Sequence, residues 1–113
     1  RLALGSDFPV ESPDPRLGLY AAVTRQDLQG NPAGGWLPGE RLTRVEALRG
    51  FTLDAAYSLF LEHEIGSLEV GKRADLVVFA GDPMTVAAAE LPNLPVDFTI
   101  VEGAIVYQRE AKP

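Results

Sequence analysis

The sequence has no cysteine, one histidine, one methionine and one tryptophan in 113 residues. Without cysteine there is no disulfide framework and no thiolate nucleophile, and a four-ligand zinc set of cysteines is excluded. A single histidine excludes the His-x-His and His-Glu-x-x-His arrangements that hold a catalytic metal within one chain. Basic residues are also scarce, 10 against 16 acidic ones, which gives a formal net charge of −6. Lys72-Arg73 is the only adjacent basic pair. Nucleic acids and anionic membrane surfaces demand clustered lysine and arginine, so neither is an expected partner. No apolar run is long enough to span a bilayer, and the first residues lack the basic region followed by an apolar core that marks a signal peptide. The expectation is a soluble, cytoplasmic protein. An apolar content of 46% is ordinary for a chain that buries a core.

Residues 2–6 are apolar and then stop at Gly5-Ser6, which predicts a short buried strand ending next to Asp7. Pro9, Pro13 and Pro15 exclude regular structure in the stretch that follows. Asp14-Pro15 matches an N-cap followed by proline at the first helical position, and Leu17, Tyr20, Ala21, Thr24 and Leu28 continue at near-helical spacing; this predicts a helix over 15–27. "GNPAGGWLPG" is a loop by composition. Within it Trp36, a large apolar group, is expected to pack down on the core. Thr43 and Glu46 have capping-box spacing, predicting a helix over 44–49 that breaks at Gly50. Thr52 then caps a second helix, with Leu53, Ala56, Tyr57 and Phe60 on one face. The pair has the outline of a helix-turn-helix, but no basic face supports DNA binding.

Beyond Ile65 the pattern turns to β. A turn is expected at Glu69–Lys72, a strand at Ala74–Phe79 stopped by Asp82-Pro83, then a linker with at most one helical turn. A hairpin follows, Val96–Val101 and Ala104–Gln108 around Glu102-Gly103. Asp75 is expected to fix the turn before its strand. Gly71-Lys72 is not a phosphate loop, because the first glycine and spacing of that motif are absent.

The ordered strings "GSDFPVE", "LGLYAAVTR", "RLTRVEALRGFTLDAAYSLFLEHEIGSLEVGKRADLVVFAGDP" and "VDFTIVEGAIVYQ" together resemble the C-terminal end of a metal-dependent amidohydrolase. The "AAVTR" segment and the long "GNPAGGWLPGERLT" connection are most similar to the amidohydrolase-3 branch, which includes exoenzyme-regulator-like proteins. The resemblance covers essentially the whole chain. It implies an α/β fold in which residues 1–61 supply the last strand and closing helices of a (β/α)8 barrel. Residues 62–113 would then supply strands to a small composite β-sandwich. It also implies a parent enzyme that hydrolyses non-peptide C–N bonds, amide or cyclic amide, in a small-molecule substrate with a divalent metal, zinc by expectation.

In such barrels the active site lies at the C-terminal ends of the strands. Asp7 directly follows its strand, so the resemblance makes it the catalytic carboxylate, touching the metal and exchanging a proton with the water nucleophile. From its residues alone, an aspartate after a strand caps the next turn. The metal ligands on earlier strands are absent, so no metal is expected in this chain alone, and the isolated chain is expected to be inactive. Arg25 is the candidate substrate-binding residue, against the reading of a surface arginine. Glu11 faces either the same mouth or solvent, the latter preferred. Phe8 and Trp36 would line a pocket or pack against the barrel. His63 reads as a surface residue near a helix C-terminus, where an imidazolium suits the dipole. The alternative function is a stand-alone, non-catalytic interaction module retaining the amidohydrolase tail as a scaffold. The uncovered strands also predict a homo-dimer.

Overall fold

The computed structural model describes residues 1–110; the last part of the expected 62–113 region, residues 111–113, lies outside the described residues. Three α-helices precede a three-stranded antiparallel sheet: α1 Pro15–Thr24, α2 Arg44–Phe51, α3 Leu53–Ser58, then β1 Leu76–Phe79, β2 Val96–Val101 and β3 Ala104–Gln108. Short 3-10 turns lie at Pro38–Glu40 and Ala88–Asn93. Among the described residues, no helix is long and apolar enough to cross a membrane.

Helix α1 starts where its sequence signals place it. Asp14 accepts from the Arg16 backbone N–H at 3.0 Å, and Pro15 opens the first turn. The helix ends at Thr24, short of the expected residue 27. Arg25 takes a left-handed conformation (φ 54°) and its N–H closes on the Ala21 carbonyl, which ends the helical path. Helix α2 has its capping box, with Glu46 N–H donating to Thr43 Oγ1 and Thr43 N–H to Glu46 Oε2. It does not break at Gly50 but runs through it to Phe51. Thr52 bounds α3 without capping it, because its hydroxyl donates back to the Leu48 carbonyl at 2.7 Å. Phe60 falls beyond the end of α3 with φ 60° and is almost fully exposed, so the expected four-residue apolar face is not formed.

The core lies between the helices and the second 3-10 turn. Leu19, Tyr20, Ala47 and Leu91 are buried together, with Val23, Leu42, Phe51 and Val86 packed against them. The stretch expected to be a linker therefore supplies Leu91, the largest fully buried side chain. Arg16 Nη1 donates to the Leu94 carbonyl at 2.9 Å, and Arg44 donates to the Pro83 and Val86 carbonyls, which ties α1 and α2 to this stretch.

In the sheet, β1 pairs β2 with Leu76 opposite Ile100, and β2 pairs β3 with Val101 opposite Ala104. The hairpin has its expected limits. Glu102 and Gly103 both have positive φ, the pattern of a two-residue hairpin turn whose twist matches the strands. β1 starts at Leu76 rather than Ala74. Asp75 Oδ1 accepts from the Glu102 N–H at 2.8 Å, so this carboxylate fixes the hairpin turn and not the turn before its own strand. The turn at Glu69–Lys72 is closed by Lys72 N–H and the Glu69 carbonyl.

Residues 1–6 form no strand within the described chain. A strand is defined by ladder bonds to a neighbour, and of these residues only Leu4 donates a backbone bond to another segment, to the Gly50 carbonyl at 2.9 Å.

Candidate active site

Asp7 stands where the chain turns away after residues 1–6. Its φ of 49° is left-handed, which aspartate tolerates better than bulkier residues. The turn is closed by backbone: Val10 N–H donates to the Asp7 carbonyl at 2.9 Å and Glu11 N–H to the Ser6 carbonyl at 3.3 Å. The Asp7 carboxylate makes no hydrogen bond and no ion pair among the described residues, and the residue is exposed. Its side chain therefore does not cap the turn, and both oxygens are open to a ligand.

Beside it lies an open cavity of about 900 Å³. Leu4, Ser6 and Glu11 line one part of it, Tyr20 and Arg25 another, and Phe51 contributes from α2. Glu11 and Arg25 thus share one opening; Asp7 adjoins it through Ser6 without lining it. Arg25 is partly committed to its own loop. Its Nε donates to the Trp36 carbonyl at 2.6 Å, and its guanidinium carbon lies 4.8 Å from the Trp36 ring centroid. That contact replaces the expected burial of Trp36, which is 61% exposed. A cation over the indole face holds the ring at the surface, where the charge stays hydrated. Phe8 is 67% exposed and does not pack into the core. His63 is almost wholly exposed, with Nε2 at 3.9 Å from Glu62 Oε1, as expected of a surface histidine.

Among the described residues, no group of three His, Cys, Asp or Glu side chains is placed to hold a metal ion. Asp7 offers a free carboxylate with no companion ligand among the described residues, so these donors alone do not fit a metal centre.

Two positions escaped the sequence reading. Lys72, read only as a turn residue and one of a basic pair, is a nearly buried ammonium that donates to the Glu62 carbonyl and Ser67 Oγ, both at 2.5 Å, and pairs with Glu69 at 2.9 Å. The Ser67 hydroxyl and then Lys72 hold the Glu69 carboxyl below the usual range. Gly50, read as a helix breaker, lies inside α2 against Leu2 and Leu4. A glycine within a strong capping-box helix was the available signal.

The model described as the amidohydrolase family matches residues 1–107. The chain is 38% identical over 109 residues to an N-substituted formamide deformylase of Arthrobacter pascens, covering 96% of this chain and 20% of that protein. It is 33% identical over 105 residues to the protein YtcJ of Bacillus subtilis (strain 168), covering 93% and 20% respectively. The crystal structure of an amidohydrolase from Thermotoga maritima MSB8 superposes with a TM-score of 0.64 at 29% identity, over 95% of this chain and 23% of that one. The chain spans about a fifth of the length of the curated relatives it matches.

Proposed function

We propose, from the premise that this chain belongs to the amidohydrolase family, that it is the C-terminal part of a hydrolase of non-peptide C–N bonds in which Asp7 is the proton-transferring carboxylate. In this reading residues 2–6 serve as the last strand of a (β/α)8 barrel, with neighbours supplied from outside the chain. Residues 62–113 contribute to a small β-sandwich. Active sites of such barrels open at the C-terminal ends of the strands, which is where Asp7 follows its segment.

One observation carries the assignment: the Asp7 carboxylate is exposed and unpartnered among the described residues, directly after the apolar segment 2–4. A carboxylate engaged in capping would be spent on its own turn. A free one can accept a proton from the attacking water and return it to the leaving nitrogen. Arg25, at the neighbouring opening, is the proposed contact for a substrate carbonyl or anionic group through the guanidinium nitrogens not bonded to Trp36. A divalent metal, zinc in this proposal, would be held mainly by residues outside the chain, with Asp7 as the one ligand this chain would offer. Similarity to an N-substituted formamide deformylase makes N-formyl and related amides the first substrates to test.

Hydrolysis of an N-substituted formamide series by the full-length protein and by residues 1–113 alone tests the reading. Turnover by the full-length protein and none by the shorter chain is the expected result. Turnover by residues 1–113 alone, or none of any amide or cyclic amide by the metal-loaded full-length protein, contradicts it.

A further inference from the structure

Gly50 sits in the last turn of α2, a place where its backbone freedom is not used. Alanine would favour the helix there, and no positive φ requires glycine. What requires it is space. A Cβ at residue 50 would lie 2.7 Å from Leu4 Cδ1, 2.8 Å from Leu4 Cγ and 3.1 Å from the Leu2 carbonyl oxygen. The two carbon separations are well inside carbon–carbon contact, and the approach to the oxygen is tighter than usual. The segment leading to Asp7 therefore lies directly on the bare backbone of the helix. It is pinned there by the Leu4 N–H, which donates to the Gly50 carbonyl at 2.9 Å.

A second clamp lies at the start of the same segment. The Arg1 guanidinium stacks 4.0 Å from the Tyr57 ring centroid on α3. Its Nε is 4.0 Å from Oδ1 of the buried Asp54, which also accepts from Arg49 Nε at 3.1 Å. Residues 1–4 are thus held at both ends against α2 and α3, and the turn carrying Asp7 begins two residues later.

We infer that Gly50 is a positioning residue for Asp7: its missing side chain sets how closely residues 2–4 lie on α2, and so where the Asp7 carboxylate stands in the active site. This inference rests on the proposed role of Asp7. A methyl group at residue 50 lifts the segment by a few tenths of an ångström or more, and proton transfer requires the base to stay within hydrogen-bond reach of the water. Misplacement on the order of an ångström costs catalysis up to about a hundredfold.

The test is made in the full-length enzyme with Gly50→Ala, Gly50→Ala/Leu4→Ala and Asp7→Asn. Gly50→Ala is expected to lower kcat by about tenfold or more with KM nearly unchanged. Adding Leu4→Ala, which removes the colliding Cγ and Cδ atoms, is expected to restore most of it. A wild-type kcat in Gly50→Ala overturns the inference, as does a folded double variant with no recovery. If Gly50→Ala does not fold, the double variant is expected to fold and turn over; its failure also overturns the inference. An active Asp7→Asn overturns the role of Asp7 and the inference with it. An inactive Asp7→Asn beside a fully active Gly50→Ala overturns the inference alone.

Discussion

The ring of Phe51, at the end of α2, fills the notch that Gly18 leaves on α1. A Cβ at residue 18 would overlap Phe51 Cζ and come within 3.1 Å of Cε1. Phe51 packs against the buried Leu19, Tyr20, Ala47 and Leu91 cluster, so this notch fixes how two helices meet beside the cavity.

Gly18→Ala sets two effects against each other. Helix propensity favours alanine by about 1 kcal/mol, whereas overpacking a core costs about 1–3 kcal/mol. Since the ring has the core behind it, overpacking is expected to win. The melting temperature of the full-length protein is expected to fall in Gly18→Ala. An unchanged or higher value would mean that Phe51 moves aside freely and that the notch does not fix the helix pair.

The Asp14 cap predicts a pH dependence. Arg16 Nη2 lies 2.6 Å from Asp14 Oδ2, and this bond holds the Asp14 carboxyl below its ordinary value. The Asp14 side chain also accepts from the Arg16 backbone N–H. With the folded value lower than the unfolded one, the unfolded chain binds more protons as the pH falls. The stabilisation is therefore present above the ordinary aspartate value of about 3.9 and is lost as the pH drops through the lower folded value. Asp14→Ala is expected to cost about 1 kcal/mol near neutrality, the usual worth of an N-cap. Urea midpoints of the two proteins along a descending pH series are expected to converge below about 3.9. A gap constant across that range would contradict the cap's ionic character.

Three local signals were legible because their partners lie within a few residues, whereas the Thr52 cap and the Asp75 bond to its preceding turn, equally local, did not form. Asp14-Pro15, the Thr43–Glu46 box and the Glu102-Gly103 hairpin stand where their spacing puts them, because each is closed by bonds over short separations. Features decided by distant packing were not legible. The 3-10 turn at Ala88–Asn93 reads as a linker, yet Leu91 is buried against α1 and α2. Gly50 reads as a breaker, and its role as clearance depends on Leu4, far away in sequence. Trp36 reads as core, and only the position of Arg25 explains its exposure. At the candidate site, the sequence singled out Asp7 and Arg25, and Glu11 was the preferred solvated residue, although it lines the cavity. That Glu11 and Arg25 share a cavity, and that the Asp7 side chain leaves its own turn uncapped, follows from how distant segments fold together and not from local spacing. The strand expected over residues 2–6 is not formed, since among the described residues these make no ladder with a neighbour.

The role of Asp7 is tested most directly by Asp7→Asn in the full-length, metal-loaded enzyme. The substitution keeps size and shape and removes the proton acceptor, and the native carboxylate has no bond within the described fold to lose. The melting temperature of the metal-free protein is therefore expected to stay at the wild-type value, while kcat of the metal-loaded enzyme for a formamide substrate falls by about a hundredfold or more. A folded Asp7→Asn enzyme that keeps most of its kcat would contradict the account.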